Sequence, residues 1–402
     1  MKKLLSLLTV CAMAVASVFT FAGCSGGDAK SSESGANSDF IVGAIYINSQ
    51  NDTAGYTYAH HKGITKAMQD LGMDPSKQLK IVDNVPEDQT AVENAIDQLA
   101  GQGCKIIFGI SFGYIDAFEK KAAEYPDIAF SHATGYKSND SNFNNYFGRI
   151  YQARYLAGIA AGYKSLKLGN NNVGYVSAWG TEYAETCSGI NAFALGVRSV
   201  NPNATIHVNQ ISTWGDQEKE RQAAEVLIDT FNCCVIAQHC DSAQPQIVAN
   251  EKGVFGCGYN SDMTEQAPKA HLTAPVWNWN VYYKLAIETV MGGKKLTPTV
   301  GNYYGGLTEG MVDISPLSAN CEPEAAEAIA LARELMTKGE WDVFSGVKLS
   351  FSGAAGSVAV KKTDDALKTN DGTVIVEAGG KSVDDGVIQG SMNYYVDGVV
   401  AH

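Results

Sequence analysis

The sequence predicts an α/β fold of two lobes, each built on a parallel sheet, and three observations carry that expectation. Apolar runs of strand length alternate with helix-length segments in two successive series, separated by the turn-rich stretch Leu168-Gly169-Asn170-Asn171-Asn172. Residues 235–238 and 254–259 are apolar at nearly every position, as strands are when helices cover both faces of a sheet, and a helix-length segment after Pro245 joins them. A length of 402 residues exceeds one ordinary core, and 45% hydrophobic residues are enough to bury two.

Taken in order, residues 40–47 form the first strand, which ends in a polar run from Asn48 to Asp52 and then Gly55-Tyr56. A helix over 58–71 follows and stops at Gly72. Residues 80–83 make the next strand, and 90–101 a helix with Val92, Ile96 and Leu99 on one face. The strand 104–110 ends in Ser111-Phe112-Gly113-Tyr114, and 128–132 and 146–149 are two more strands. An Ala/Gly-rich helix over 152–163 is suited to close packing. In the second series the strand 173–177 ends at Trp179, and the helix 189–200 is stopped by Asn201-Pro202. The strand 206–211 ends at Thr213-Trp214-Gly215-Asp216, and a helix spans 218–230. The strand pair 235–238 and 254–259 comes next, then a strand over 271–274 and an aromatic-rich helix over 277–291. From 302 the pattern is mixed, with strands at 303–306 and 311–314, a helix at 323–337 and a looser, glycine-rich last fifty residues. The expected lobes are therefore 39–165 with about 277–301, and 166–276 with about 302–402.

Ahead of these lobes, Lys2 and Lys3 precede an apolar run that ends in Phe21-Ala22-Gly23-Cys24. This resembles the lipobox of bacterial lipoprotein signal peptides, so residues 1–23 are expected to be a signal peptide and Cys24 a lipidated mature N-terminus. Residues 24–38, rich in Ser, Gly, Ala and Asn, have the composition of a flexible tether. The protein is thus expected on the outer face of a bacterial membrane, held there by the N-terminal lipid.

A net charge of −13 without any long basic run argues against nucleic-acid binding, which needs clustered Lys and Arg. Of nine cysteines, Cys11 lies in the leader and Cys24 at the lipid site; the other seven show no metal spacing and mostly sit in apolar segments, as buried free thiols do. Cys240 stands between His239 and Asp241, but neighbours after a strand point in different directions, so adjacency makes no catalytic dyad. No zinc spacing and no phosphate-binding glycine motif stands out, so no metal, cofactor or catalytic residue is expected.

What does stand out is that polar and aromatic residues collect after strands, where open α/β sheets bind ligands. Asn51, Asp52 and Tyr56, then Ser111 and Phe112, then Trp179, Trp214, Asp241, Asn260 and Asp262 all follow strand ends. Tyr and Trp rings there suit stacking on a flat ligand, while carboxylates and amides fix its edges. The plainer alternative is that Asp241 and Asp262 only cap the following helices, and that each Trp belongs to a core.

The segments NDTAGYTYAHHKGI, IIFGISFGY, NYFGRIYQARYLAGIAAG, GINAFALGVRSVNPNA, VIAQHCDSAQPQ, GYNSDM and MNYYVDGVV resemble the basic membrane protein family, also called the purine nucleoside receptor A-like family. The resemblance runs from about Phe40 to the C-terminus and is most specific over 189–280. It implies a fold like type I periplasmic binding proteins, two Rossmann-like lobes with a ligand cleft between them and three crossing segments. It also implies a monomeric substrate-binding lipoprotein of an ABC importer, with permease and ATPase partners and a purine base or purine nucleoside as ligand. By the same resemblance Tyr56 matches a first stacking position with Asp52 its acid, Trp214 a second stacking position, and Asp262 or else Asn260 the acid that holds ribose hydroxyls. Where nucleoside receptors of the family tend to show a Lys, this chain has Val276-Trp277-Asn278-Trp279, which favours a base such as adenine over a nucleoside. Other flat ligands, riboflavin or thiamine, and a sensor role on the same fold are the alternatives.

Overall fold

The computed structural model describes residues 39–402; the expected signal peptide, Cys24 and the tether up to residue 38 lie outside the described residues. Two six-stranded sheets, every neighbouring pair parallel, form the cores of the two lobes. The first runs Tyr303–Gly305, Phe143–Gly148, Ala129–Ala133, Cys104–Ile110, Ile41–Tyr46, Leu79–Val82, and the second His271–Thr273, Phe255–Cys257, Val235–His239, Asn172–Ser177, Thr205–Gln210, Val399–Ala401. The strands expected at 235–238 and 254–259 are thus adjacent and parallel.

Burial follows the all-apolar strands. Ile45, Ile107, Leu99 and Phe118 fill one face of the first sheet, and Val176, Ile236, Leu227 and Val248 one face of the second. The alternate residues, Ala44, Phe108, Tyr175 and Ala237 among them, face a third core that continues through the segments joining the lobes. The Ala/Gly-rich helix Ile150–Leu168 lies against Ala184–Val200 at close range: a Cβ at Gly158 would overlap the Phe193 carbonyl, and one at Gly196 the Tyr155 carbonyl. Without side chains at those two points the backbones can approach and exclude water along the whole seam.

The chain passes between the sheets three times. Phe143–Gly148 of the first sheet leads into Ile150–Leu168, which packs beside the second sheet. After His271–Thr273 the chain returns to the helix Asn280–Met291, which packs on Gly55–Asp70 of the first lobe. It leaves again after Tyr303–Gly305. Three expectations are corrected here. The segment expected to begin a helix at Trp277 is a short strand, Pro275–Trp277, paired antiparallel with Val312–Ile314, and the helix begins at Asn280. The stretch placed with the second lobe from about 302 first adds Tyr303–Gly305 to the edge of the first sheet, since Tyr303 pairs with Tyr146. The last fifty residues are also less loose than expected, because Val399–Ala401 pairs with Ile206–Val208 and completes the second sheet.

Candidate functional site between the lobes

In each sheet the strand that comes first in the chain lies inside, with the second strand on one side and the third on the other. Chain order reverses between the first and third strands, and a crevice opens there at their carboxyl ends. In the first lobe those ends are the segments after Tyr46 and Ile110; in the second, after Ser177 and His239. Asn51, Asp52, Ser111, Phe112, Trp179 and Asp241 follow these four strands.

The lobes meet at Asp241. Its backbone N–H donates to the Trp214 carbonyl at 2.9 Å, the Asn260 amide donates to its carboxyl at 3.4 Å, and the Tyr56 backbone N–H donates to the same carboxyl. Gly55 opens the helix at φ +85°, and a Cβ there would lie 2.7 Å from the Asp241 carbonyl oxygen, so the approach needs glycine on both counts. Burial, then the Glu220 and Glu185 carboxylates, push the Asp241 acid up to about 8. It therefore carries its proton at neutral pH and offers a donor and an acceptor side by side.

Rings from both lobes lie close to one another at these strand ends. Tyr183 lies 5.1 Å from Trp179 and edge-on to Trp214 at 6.0 Å, and Trp214 is 6.1 Å from His239. From the first lobe Phe112, 42% exposed, comes within 6.4 Å of Tyr183, and Tyr56 lies edge-on to His60 at 4.3 Å. Beneath them His239 bonds Glu185 at 3.0 Å, and its imidazole is pushed down to about 4 by burial and by Arg154, so it is neutral at pH 7. Arg154 is buried under the Tyr259 ring at 4.1 Å and donates to the Tyr175 hydroxyl and the Gln238 carbonyl. Its Nε and Nη2, His239 Nδ1, Asn260 Oδ1 and Trp179 Nε1 are buried with no hydrogen-bond partner among the described residues. Such atoms are destabilising unless another group reaches them, and a polar ligand is one such group.

Not every expected residue turns toward this crevice. The Ser111 hydroxyl donates to Glu87 at 2.5 Å, which also accepts the Gly113 N–H, so Ser111 closes its own loop. Asn51 is exposed, its N–H on the Ser49 hydroxyl, and Asp52 is half-buried, its acid raised by burial and Asp83. Asp262 accepts from the Thr264 N–H and hydroxyl and lies 3.4 Å from His271; it closes a turn there, and no helix follows for it to cap. Asn260, at φ 67°, is 4% exposed and touches Asp241. Trp277 is 6% exposed, stacked 4.3 Å from Trp279 and 4.8 Å from Phe147, with its N–H on the Tyr259 hydroxyl. Trp279 in turn stacks on His60 at 3.9 Å, so the indoles form a wedge at the crossing. Asn260, Asp262 and Trp277 line a crevice of about 740 Å³ together with Tyr58, Lys62 and Lys66 of the first lobe.

Three residues that sequence reasoning passed over belong to the site. Tyr183 stands four residues beyond Trp179 in the same loop, a second aromatic in a polar turn. Glu185 sits in the first turn of the helix that follows. Arg154 is a charge in the Ala/Gly-rich part of its helix, and it is buried there at 1% exposure.

Comparison with known proteins gives the family and the fold. Residues 40–339 match the family model Bmp, described as ABC transporter substrate-binding protein PnrA-like. A purine-binding protein of Brucella abortus is 35% identical over 359 residues, covering 89% of this chain and 92% of that protein. A putative ABC transporter glucose-binding protein of Haloferax volcanii is 34% identical, covering 82% and 81%. Among solved structures, an ABC transporter solute-binding protein from Conexibacter woesei superposes with a TM-score of 0.61 at 19% identity, covering 75% of this chain and 98% of that one. One from Aeropyrum pernix gives 0.61 at 15% identity, covering 78% and 93%.

Proposed function

This chain belongs to the PnrA-like family of ABC transporter substrate-binding proteins, and from that membership we propose that its ligand is a purine, a free base such as adenine before a nucleoside. Proteins of this kind bind a solute outside the cytoplasm for an ABC transporter and are not enzymes. Among the described residues no helix is long and apolar enough to cross a membrane. In the finer reading Cys24 carries the lipid that keeps a monomeric protein beside its permease.

One observation carries the purine reading: Asp241, its acid pushed up to about 8 by burial and by Glu220 and Glu185, has Asn260 against it and shares its strand ends with the rings of Tyr56, Phe112, Trp179, Tyr183 and Trp214. The edge of adenine presents a ring-nitrogen acceptor beside an amino donor. A neutral carboxyl presents the complementary donor and acceptor, and the rings supply stacking surface. The base is favoured because Trp277 and Trp279 fill the space beside Asn260 with apolar indole, where a sugar would need polar partners.

The test is thermal unfolding of the chain from Ser25 onward with adenine, guanine, hypoxanthine, adenosine, guanosine, inosine, riboflavin, thiamine and D-glucose. A ligand that binds only the folded state adds about 2.7 kcal/mol of stability at 100 times its Kd. A rise in Tm with adenine above that with adenosine is expected. A rise with glucose, riboflavin or thiamine alone would overturn the purine reading, and one with nucleosides alone would overturn the preference for the base.

A further inference from the structure

We propose that Glu220 is a positioning residue that locks the Trp214 loop and the Asp241 loop into one rigid platform, an inference that rests on the reading of those loops as ligand-holding. Glu220 lies in the first turn of Gln217–Asp229 and is fully buried. Its carboxylate accepts the Ser242 N–H at 3.1 Å, the Ser242 hydroxyl, the Asp216 N–H at 3.3 Å and the Cys240 thiol. Asp216 ends the Trp214 loop, while Cys240 and Ser242 flank Asp241. The same two loops are joined directly by the bond from the Asp241 N–H to the Trp214 carbonyl.

Four donors and no acceptor converge on this one side chain. A carboxylate has lone pairs for all four, whereas an amide would turn its NH2 toward two of them. An acid buried this fully is destabilising in itself; those bonds offset part of its lost hydration, and burial still holds the Glu220 acid above the usual carboxylate range. Its charge also bears on Asp241. The groups facing that acid are Glu220, Glu185 from Ala184–Val200, Asp52 and Tyr56 from the first lobe, and Tyr259 with Asn260 from the next strand end. Glu220 is the largest electrostatic contributor among them after burial itself.

The experiment follows adenine binding to the full chain by tryptophan fluorescence between pH 6 and 9. Glu220→Gln is expected to weaken binding by about tenfold to a hundredfold, the range for losing bonds to a charged group. It is also expected to move the alkaline fall in affinity from near pH 8 to lower pH, because Asp241 loses an adjacent negative charge. Glu220→Asp keeps the charge and shortens the reach, so it should weaken binding while leaving that midpoint in place. A merely structural role would change affinity in both variants and move the midpoint in neither, which would overturn the proposal. So would a folded Glu220→Gln with wild-type affinity and midpoint. Should that variant not fold, Ser242→Ala removes one donor and leaves the backbone bonds; a loss of about threefold to tenfold supports the proposal, and unchanged affinity overturns it. Trp214→Ala and Asp241→Ala separate the two readings: if both bind adenine like wild type, the site itself is misassigned and the proposal falls with it.

Discussion

A carboxyl set among Glu220, Glu185 and Asp52 holds its proton to about pH 8 at position 241, against about 4 for an ordinary Asp. The protonated form pairs with an acceptor-donor edge, so adenine affinity is expected to fall as pH rises through 8, where the acid ionises and its donor disappears. Asp241→Asn keeps one donor and one acceptor in place of the acid. It should bind adenine within a few-fold of wild type at pH 7 and show no fall up to pH 9, whereas Asp241→Ala should lose about tenfold to a hundredfold. Titration of both variants by fluorescence checks this, and a wild-type curve flat across pH 7–9 would overturn it. His132 titrates in the opposite sense. It is fully buried, its Nε2–H donates to the Ser111 carbonyl at 2.7 Å, and burial pushes it down to about 4. Below the unfolded value of about 6.5 the unfolded chain takes up the proton that folded His132 refuses. Its contribution to stability is therefore complete above pH 6.5 and is lost as pH falls toward 4. His132→Gln keeps a donor without a charge, and its Tm should drop less than that of the wild type between pH 7 and pH 5.

At the scale of elements, the strands and helices flanking the cleft are legible because buried parallel strands announce themselves as unbroken apolar runs, and the polar residues after them mark the ligand edge. Pro275–Trp277 escaped because three residues are too few to show a period and its partner, Val312–Ile314, is distant in the chain. Aromatic residues on both sides of Asn278 then made the segment look like the start of the following helix. Trp277 was read as a platform for the same reason: sequence shows an indole after a strand, and only tertiary packing shows that Trp279 and Phe147 lie against it. Arg154, Tyr183 and Glu185 were missed because helix and loop positions reach the site from elements whose docking no local pattern specifies. The seam between Ile150–Leu168 and Ala184–Val200 was legible in composition, and it yields a sharp test. Gly158→Val would drive a branched side chain into the Phe193 carbonyl, and overpacking of this kind costs about 1–3 kcal/mol or more. Urea unfolding should show that loss, and because the seam carries Arg154 on one side and Glu185 on the other, adenine affinity should weaken with it.

For the whole molecule, the chain crosses between the two sheets near Gly148, Trp277 and Gly305, and segments of this kind are where two-lobed binding proteins hinge. The family match ends at 339, yet the residues beyond it are built into the second lobe. Val399–Ala401 supplies its edge strand, Asp385–Gly390 packs on Ala184–Val200, and Asp385 pairs with Arg149 at the first crossing. That ion pair is partly exposed on both sides and contributes at most about 1 kcal/mol. The apolar contacts matter more. Ile388, Met392, Val396 and Val399 are each 1–2% exposed, and burying four such side chains contributes roughly 6–12 kcal/mol as an upper estimate. A typical domain is stable by about 5–15 kcal/mol in total, so removing residues 385–402 should leave a second lobe that does not fold cooperatively. Circular dichroism melts of the chain with and without that segment decide it. Asp385→Asn alone should shift Tm only slightly, which would place the segment's role in its buried face and not in its charge. A shortened chain that melts cooperatively near the full-length Tm would mean instead that the lobe is complete by residue 384 and that the edge strand is an addition to a finished core.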